Sequence, residues 1–160
     1  MLQMLVRDFM TSSVVSLTMD DDLRKASVTL AVNGISGAPV IDREEHLLGI
    51  VSGMDILRYV RDMREKWGVE CPALTILVTP FDEDIEDEDL RKFHRKVSET
   101  SVGEIMTQEV LTVHPDDRLI KAMELMLDND VKRLPVVEKN RVVGIISRKD
   151  IIWAIYRGRT

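Results

Sequence analysis

The chain has 160 residues with 22 basic and 28 acidic side chains, a formal charge of -6 and a hydrophobic fraction of 44%, which suits an ordinary folded chain of about one domain length. Its single cysteine, Cys71, excludes an internal disulfide framework and a paired-cysteine metal site, so a reducing, cytoplasmic setting is the expectation. No apolar run approaches the roughly 20 residues needed to cross a bilayer, Arg7 and Asp8 fall too early for a signal peptide, and the negative charge speaks against nucleic acid as a partner.

In chain order, residues 14–17 form a short β-prone run and Asp22 opens a helix that reaches about Asn33, with Gly34 placed as its C-terminal cap. Two apolar runs follow at 38–41 and 47–51 and read as a hairpin. A second helix then runs from Gly53 towards Lys66. Residues 67–100 break this pattern. They contain Cys71-Pro72, an apolar stretch at 73–78, seven acids among the eight residues 82–89, and then Arg91, Lys92, Arg95 and Lys96. Acids before bases suit the dipole of a helix from about Glu86 to Val97. The acidic run also lacks the glycine of an EF-hand loop, so no metal is expected there. The apolar stretch at 73–78 is a candidate for packing on a partner or covering a cleft.

From residue 101 the first pattern returns. Residues 110–113 are β-prone, Pro115-Asp116-Asp117 supplies a helix start, and Leu119, Ala122, Met123, Met126 and Leu127 share one helical face. The runs 134–137 and 142–146 flank a polar turn, and a final helix follows Ser147. Residues 6–43 align without a gap to 102–139, and 47–57 align to 142–152; 17 of these 49 positions are identical. The chain is therefore an internal duplication of a β-α-β-β-α unit, with copies at 1–66 and 101–160 and an insert at 67–100. A unit of this size buries too little surface to be comfortable alone, so the two copies are expected to share their stability.

The landmarks come in a fixed order in both copies: Met10-Thr11 and Met106-Thr107, then Pro39-Val40 and Pro135-Val136, then Gly49-Ile50-x-Ser52-x-x-Asp55 and Gly144-Ile145-x-Ser147-x-x-Asp150. This order closely resembles the cystathionine-β-synthase (CBS) domain, and two copies in tandem resemble a CBS pair, or Bateman module. The resemblance implies an α/β (α+β) fold with the copies related by a pseudo-twofold axis. It also implies two clefts that in many members take adenosyl ligands such as AMP, ATP, S-adenosylmethionine or NAD, and a homodimer.

Carried over by motif, Asp55 with Ser52 and Asp150 with Ser147 are the ribose-binding pairs. A carboxylate offers two acceptor oxygens to two neighbouring hydroxyls. The same spacing is also a capping box, which satisfies backbone N–H groups at a helix start, and the two roles are compatible. Lys132, Arg133, Arg148 and Lys149 distinguish the copies, because they align with Ser36, Gly37, Gly53 and Met54. The resemblance makes Lys132 and Arg133 phosphate ligands, with Arg148 and Lys149 as further candidates. It sets adenine against Val110, Val131, Leu134 and Pro135 in the second copy, and against Val14, Ile35, Ala38 and Pro39 in the first; core packing explains each of these equally well.

His46, His94 and His114 show no catalytic or metal-ligand spacing and are expected at the surface, and no phosphate-binding glycine loop or nucleophile elbow is present. The expectation is thus a regulatory module, not an enzyme, with no cofactor beyond an AMP, ADP or ATP ligand. It would signal to a second copy or to a separate regulated protein. The alternatives are a sensor of S-adenosylmethionine or NAD, and a ligand-free interaction scaffold.

Overall fold

The computed structural model describes residues 3–69 and 86–157. After a 3-10 turn at Val6–Asp8, these residues form α1 (Leu23–Val32), β1 (Gly37–Ile41), β2 (Leu47–Ser52) and α2 (Gly53–Trp67). There follow α3 (Glu88–Glu99), a single turn α4 (Val102–Ile105), α5 (Leu119–Asp128), β3 (Arg133–Glu138), β4 (Arg141–Ser147) and α6 (Arg148–Arg157). β1 and β2 make one two-stranded sheet, β3 and β4 another. Residues 73–78 and the first part of the acidic run, 82–85, lie outside the described residues.

Local chemistry accounts for the helices. Asp22 caps α1 by accepting from Lys25 N at 2.7 Å, and Leu23, Ala26 and Leu30 supply its buried stripe. Asn33 ends that helix, and Gly34 behind it adopts φ +60°, a left-handed conformation that glycine takes without steric cost. α5 repeats the stripe with Leu119, Ala122 and Met126 at the same intervals. Ahead of each helix sits an aligned aspartate. Asp21 accepts from Thr18 N at 2.8 Å and takes the Lys25 ammonium at 2.6 Å; Asp117 accepts from His114 N at 2.8 Å and takes Lys121 at 2.9 Å. Burial raises both carboxyls, but these donors together with the ammonium outweigh it and hold each below its ordinary value.

The β3–β4 hairpin closes through Lys139 and Asn140, at φ +50° and +64°, the positive-φ pair whose twist matches the flanking strands. The strands expected at 14–17 and 110–113 are each reduced to one parallel bridge, Leu17 to Val40 and Val113 to Val136. Leu17 N donates to Pro39 O at 3.0 Å and Val113 N to Pro135 O at 3.1 Å. The next rung of each ladder would need the proline nitrogen as a donor to residue 15 or 111. A proline has no N–H to give, so the pairing stops.

By density of internal contacts the chain divides into two compact units that cut across the repeats. One comprises 17–40 and 50–107, the other 1–16, 41–49 and 108–160. The first has a core of Leu17, Leu23, Leu30, Val40, Val51, Ile56 and Val60 from the first copy, completed by Phe93, Val97 and Val102. The core of the second combines Val113, Leu119, Met126, Leu134, Val136, Ile146 and Ile151 with Val6. Val6 and Val102 are aligned residues, and each is fully buried among side chains of the other copy. Backbone pairs fix the exchange: Thr11 and Ile145 bond reciprocally at 2.9 and 3.0 Å, and Thr107 and Ile50 at 2.9 Å. Where the Met10-Thr11 segment crosses β4, a Cβ on Gly144 would lie 2.5 Å from Met10 Sδ and 3.2 Å from Thr11 O. Only glycine lets the backbones approach this closely.

α3 begins two residues later than the charge pattern suggests, with Asp87 as its cap, accepting from Leu90 N at 2.8 Å. Its apolar face turns Phe93 and Val97 into the first core, and the Phe93 ring meets Trp67 edge-on at 5.9 Å. His94 corrects the surface assignment: it is fully buried on that same helix face, because it falls beside Phe93 and one turn from Val97. His46 is half-buried and His114 is exposed. Among the described residues no helix is long and apolar enough to cross a membrane.

Candidate functional site

The two Ser-x-x-Asp turns join the second hairpin strand of each copy to the helix that follows. Asp150 Oδ2 accepts from Ser147 N and from Ser147 Oγ, both at 2.8 Å, and Asp150 N donates to Ser147 Oγ at 3.4 Å. In the first copy Asp55 Oδ2 accepts from Ser52 N at 2.8 Å and from Ser52 Oγ at 2.9 Å, while Asp55 N donates back at 3.2 Å. The capping role is thus realised in both copies, through one oxygen of each carboxylate. The other oxygen differs. Asp55 Oδ1 lies 3.7 Å from the guanidinium of Arg58, whereas the corresponding neighbour of Asp150 is Trp153.

The basic residues converge on the second turn through the backbone. Arg148 N donates to Lys132 O at 3.0 Å, and Arg133 stands directly opposite Ser147 in the β3–β4 register. Lys132, Arg133, Arg148 and Lys149 are therefore gathered at the end of the hairpin that carries Ser147 and Asp150. The first copy is built in the same way, with Gly53 N donating to Ser36 O at 3.0 Å, but it brings together Ser36, Gly37, Gly53 and Met54. Lys132, Arg148 and Lys149 are exposed and Arg133 is half-buried. The Arg148 guanidinium reaches Asp130 Oδ1 at 3.1 Å.

Among the apolar candidates, Leu134 and Ala38 are buried within the two cores. Strand alternation puts Arg133 and Pro135 on the face of β3 opposite Leu134. Pro135 and Pro39 are buried, and Val110, Val131, Val14 and Ile35 are half-buried. Val14 belongs to a different compact unit from Asp55. Ile35 lines a cavity of about 530 Å³ together with Leu30, Ser36, Gly53, Ile56 and Leu57, so two of the four positions that are cationic in the second copy, those of Lys132 and Arg148, border an apolar hollow in the first.

Two features of the structure escaped the sequence. Asp130 was legible only as an acid aligned with Gly34 and lying beside the basic run. In the β1–β2 turn, Asp42, Glu44 and His46 bring ligand-type atoms within 4.8 Å of one another. Their geometry is that of a hydrogen-bonded turn, in which Asp42 accepts from the backbone of Glu44 and His46, each at 2.9 Å.

The model of the CBS domain family matches residues 6–62 and again residues 102–157. The chain belongs to the CBS domain family. It is a tandem CBS pair, and its mixed helix and strand architecture is that of solved CBS pairs. The uncharacterized protein MJ1426 of Methanocaldococcus jannaschii is 32% identical over 154 residues, covering 95% of this chain and 91% of that protein. The CBS domain of a CBS-domain-containing membrane protein from Sphaerobacter thermophilus superposes with a TM-score of 0.72 at 28% identity, over 94% of this chain and 87% of that one. CBSX2, solved in complex with AMP, gives a TM-score of 0.72 at 25% identity, over 98% of this CBS pair and 99% of that chain.

Proposed function

We propose that this CBS pair is a regulatory module that binds AMP, ADP or ATP through the Asp150 turn and passes occupancy to a second copy of itself or to a separate protein. The observation that carries the reading is the gathering of Lys132, Arg133, Arg148 and Lys149 beside Ser147 and Asp150, whereas the aligned positions of the first copy, Ser36, Gly37, Gly53 and Met54, carry no charge. Cations at a helix start, backed by backbone N–H groups, suit a phosphate. Asp150 keeps one oxygen, with two lone pairs, outside the capping box for the two ribose hydroxyls, and the half-buried Val110 and Val131 offer apolar surface to the base. The Asp55 turn has an arginine on its second oxygen and no basic cluster, so it is the weaker or empty site. The AMP complex of CBSX2 supports the choice of ligand class.

Occupancy acts only if the ligand binds two arrangements of the module with different affinity, and a homodimer supplies such arrangements. α1 and α2 in one unit leave Val32 and Leu57 exposed, and α5 and α6 in the other leave Leu127, Ile152, Trp153 and Tyr156 exposed, large apolar side chains of the kind a partner surface covers. Sedimentation velocity is expected to show a dimer that Trp153→Glu converts to monomer; a wild-type monomer at micromolar concentration would rule the dimer out.

The ligand class is tested by melting the protein with AMP, ADP, ATP, S-adenosylmethionine and NAD in turn. A nucleotide present at 100 times its Kd stabilises the folded state by about 2.7 kcal/mol and raises Tm accordingly. A shift with S-adenosylmethionine or NAD alone would reassign the ligand, and no shift with any of the five would leave an interaction scaffold.

A further inference from the structure

We infer that Asp130 is a built-in anion at the phosphate end of the Asp150 site and sets how much ligand charge that site accepts. The inference rests on the nucleotide-binding reading above. Asp130 follows α5 at φ +50°, and its aligned partner in the first copy, Gly34, has φ +60°. The turn requires a left-handed residue. Glycine meets that requirement freely, whereas a residue with a Cβ carries a conformational cost, smaller for aspartate than for most. The second copy bears that cost and obtains a carboxylate whose bond runs to Arg148 Nη2 at 3.1 Å, eighteen residues away.

Both members of this ion pair are glycine in the first copy, Gly34 and Gly53, so the pair occurs only where the basic cluster occurs. Stability does not explain it. The Asp130 side chain is 98% exposed, and an ion pair that open to water contributes little to folding. It does, however, occupy Arg148 Nη2, a donor that a phosphate would use, since phosphate engages a guanidinium through its N–H groups. The backbone N–H of Arg148 also bonds Lys132 O, two residues beyond Asp130, so both members of the ion pair belong to the segments that carry the cation cluster.

An incoming phosphate therefore displaces Asp130 from Arg148 or shares the guanidinium with it. In either case a negative charge remains close to the phosphate chain, and each further ligand charge meets additional repulsion. Asp130 thus selects against ATP relative to AMP, and it does so through Arg148. This is a specificity role, separate from the ribose contact assigned to Asp150.

Calorimetric titration of the full chain with AMP, ADP and ATP tests it in the wild type, D130N, D130G and R148Q, and in the double variant D130N/R148Q. D130G restores the residue found in the first copy, so its turn is compatible with folding and guards against misfolding of D130N. Both Asp130 variants are expected to bind ATP about tenfold more tightly and AMP no more than about threefold more tightly. The gain should shrink as salt rises and vanish on the R148Q background, which a purely structural role would not produce. Wild-type binding with Asp130 variants unchanged within twofold, or with AMP and ATP gaining equally, overturns the inference while leaving the nucleotide reading intact. No binding by any variant overturns both.

Discussion

Asp150→Ala is expected to weaken adenosine-nucleotide binding by about a hundredfold, and Asp55→Ala by no more than about threefold. Two hydrogen bonds from ribose hydroxyls to a carboxylate contribute about 3 kcal/mol together, which corresponds to two decades in Kd. The comparison is informative because the two aspartates do the same structural work. Each accepts from its serine N and Oγ through Oδ2, so each alanine variant loses a capping box and about 1 kcal/mol of stability. Equal losses in denaturant titration, with unequal losses in nucleotide affinity, separate capping from ligand binding. Equal effects on affinity would place ribose recognition at both turns or at neither.

Phe93→Ala is expected to cost about 3–5 kcal/mol of folding free energy, the range for truncating a buried aromatic side chain. Phe93 is fully buried in the core built mainly by the first copy, and it also loses the edge-on contact with Trp67. Lys92 is its control. That residue sits on the solvent side of α3, 3.2 Å from Glu88 in an exposed pair, and Lys92→Ala should change stability by less than about 0.5 kcal/mol. Urea denaturation of both variants decides whether α3 is a structural part of the first core. A Phe93→Ala cost below about 1 kcal/mol would mean that the helix merely rests on a core complete without it.

These expectations mark where pattern ends and packing begins. The duplicated units could be read because helix stripes such as Leu23, Ala26 and Leu30, and turn residues such as Gly34, depend on local spacing alone. The shortened first strands could in principle be read as well. Pro39 and Pro135 announce the missing donor, but only once the neighbouring segment is known to lie alongside them. The exchange of Val6 and Val102 between the copies left no trace, because an apolar residue declares that it will be buried and not against what. His94 misled for a similar reason. A histidine in a basic, acid-flanked segment looks solvated until its helix face is set against a core.

At the site, the motif residues and the copy-to-copy difference in charge were both visible in the sequence. The contact that joins them was not. The Arg148 N–Lys132 O bond draws a residue at a helix start towards one just before a strand, and no sequence spacing specifies that. The same holds for Asp130, whose partner lies eighteen residues away across the hairpin.

On this reading the second copy of the CBS pair carries the tight nucleotide site, and the first copy a weaker one or none. The most direct test is the binding stoichiometry of the wild-type chain, measured by titration calorimetry with AMP, ADP and ATP. One tight site per chain is expected, lost in Asp150→Ala and retained in Asp55→Ala; two equivalent sites per chain, or a tight site indifferent to Asp150, would overturn the assignment.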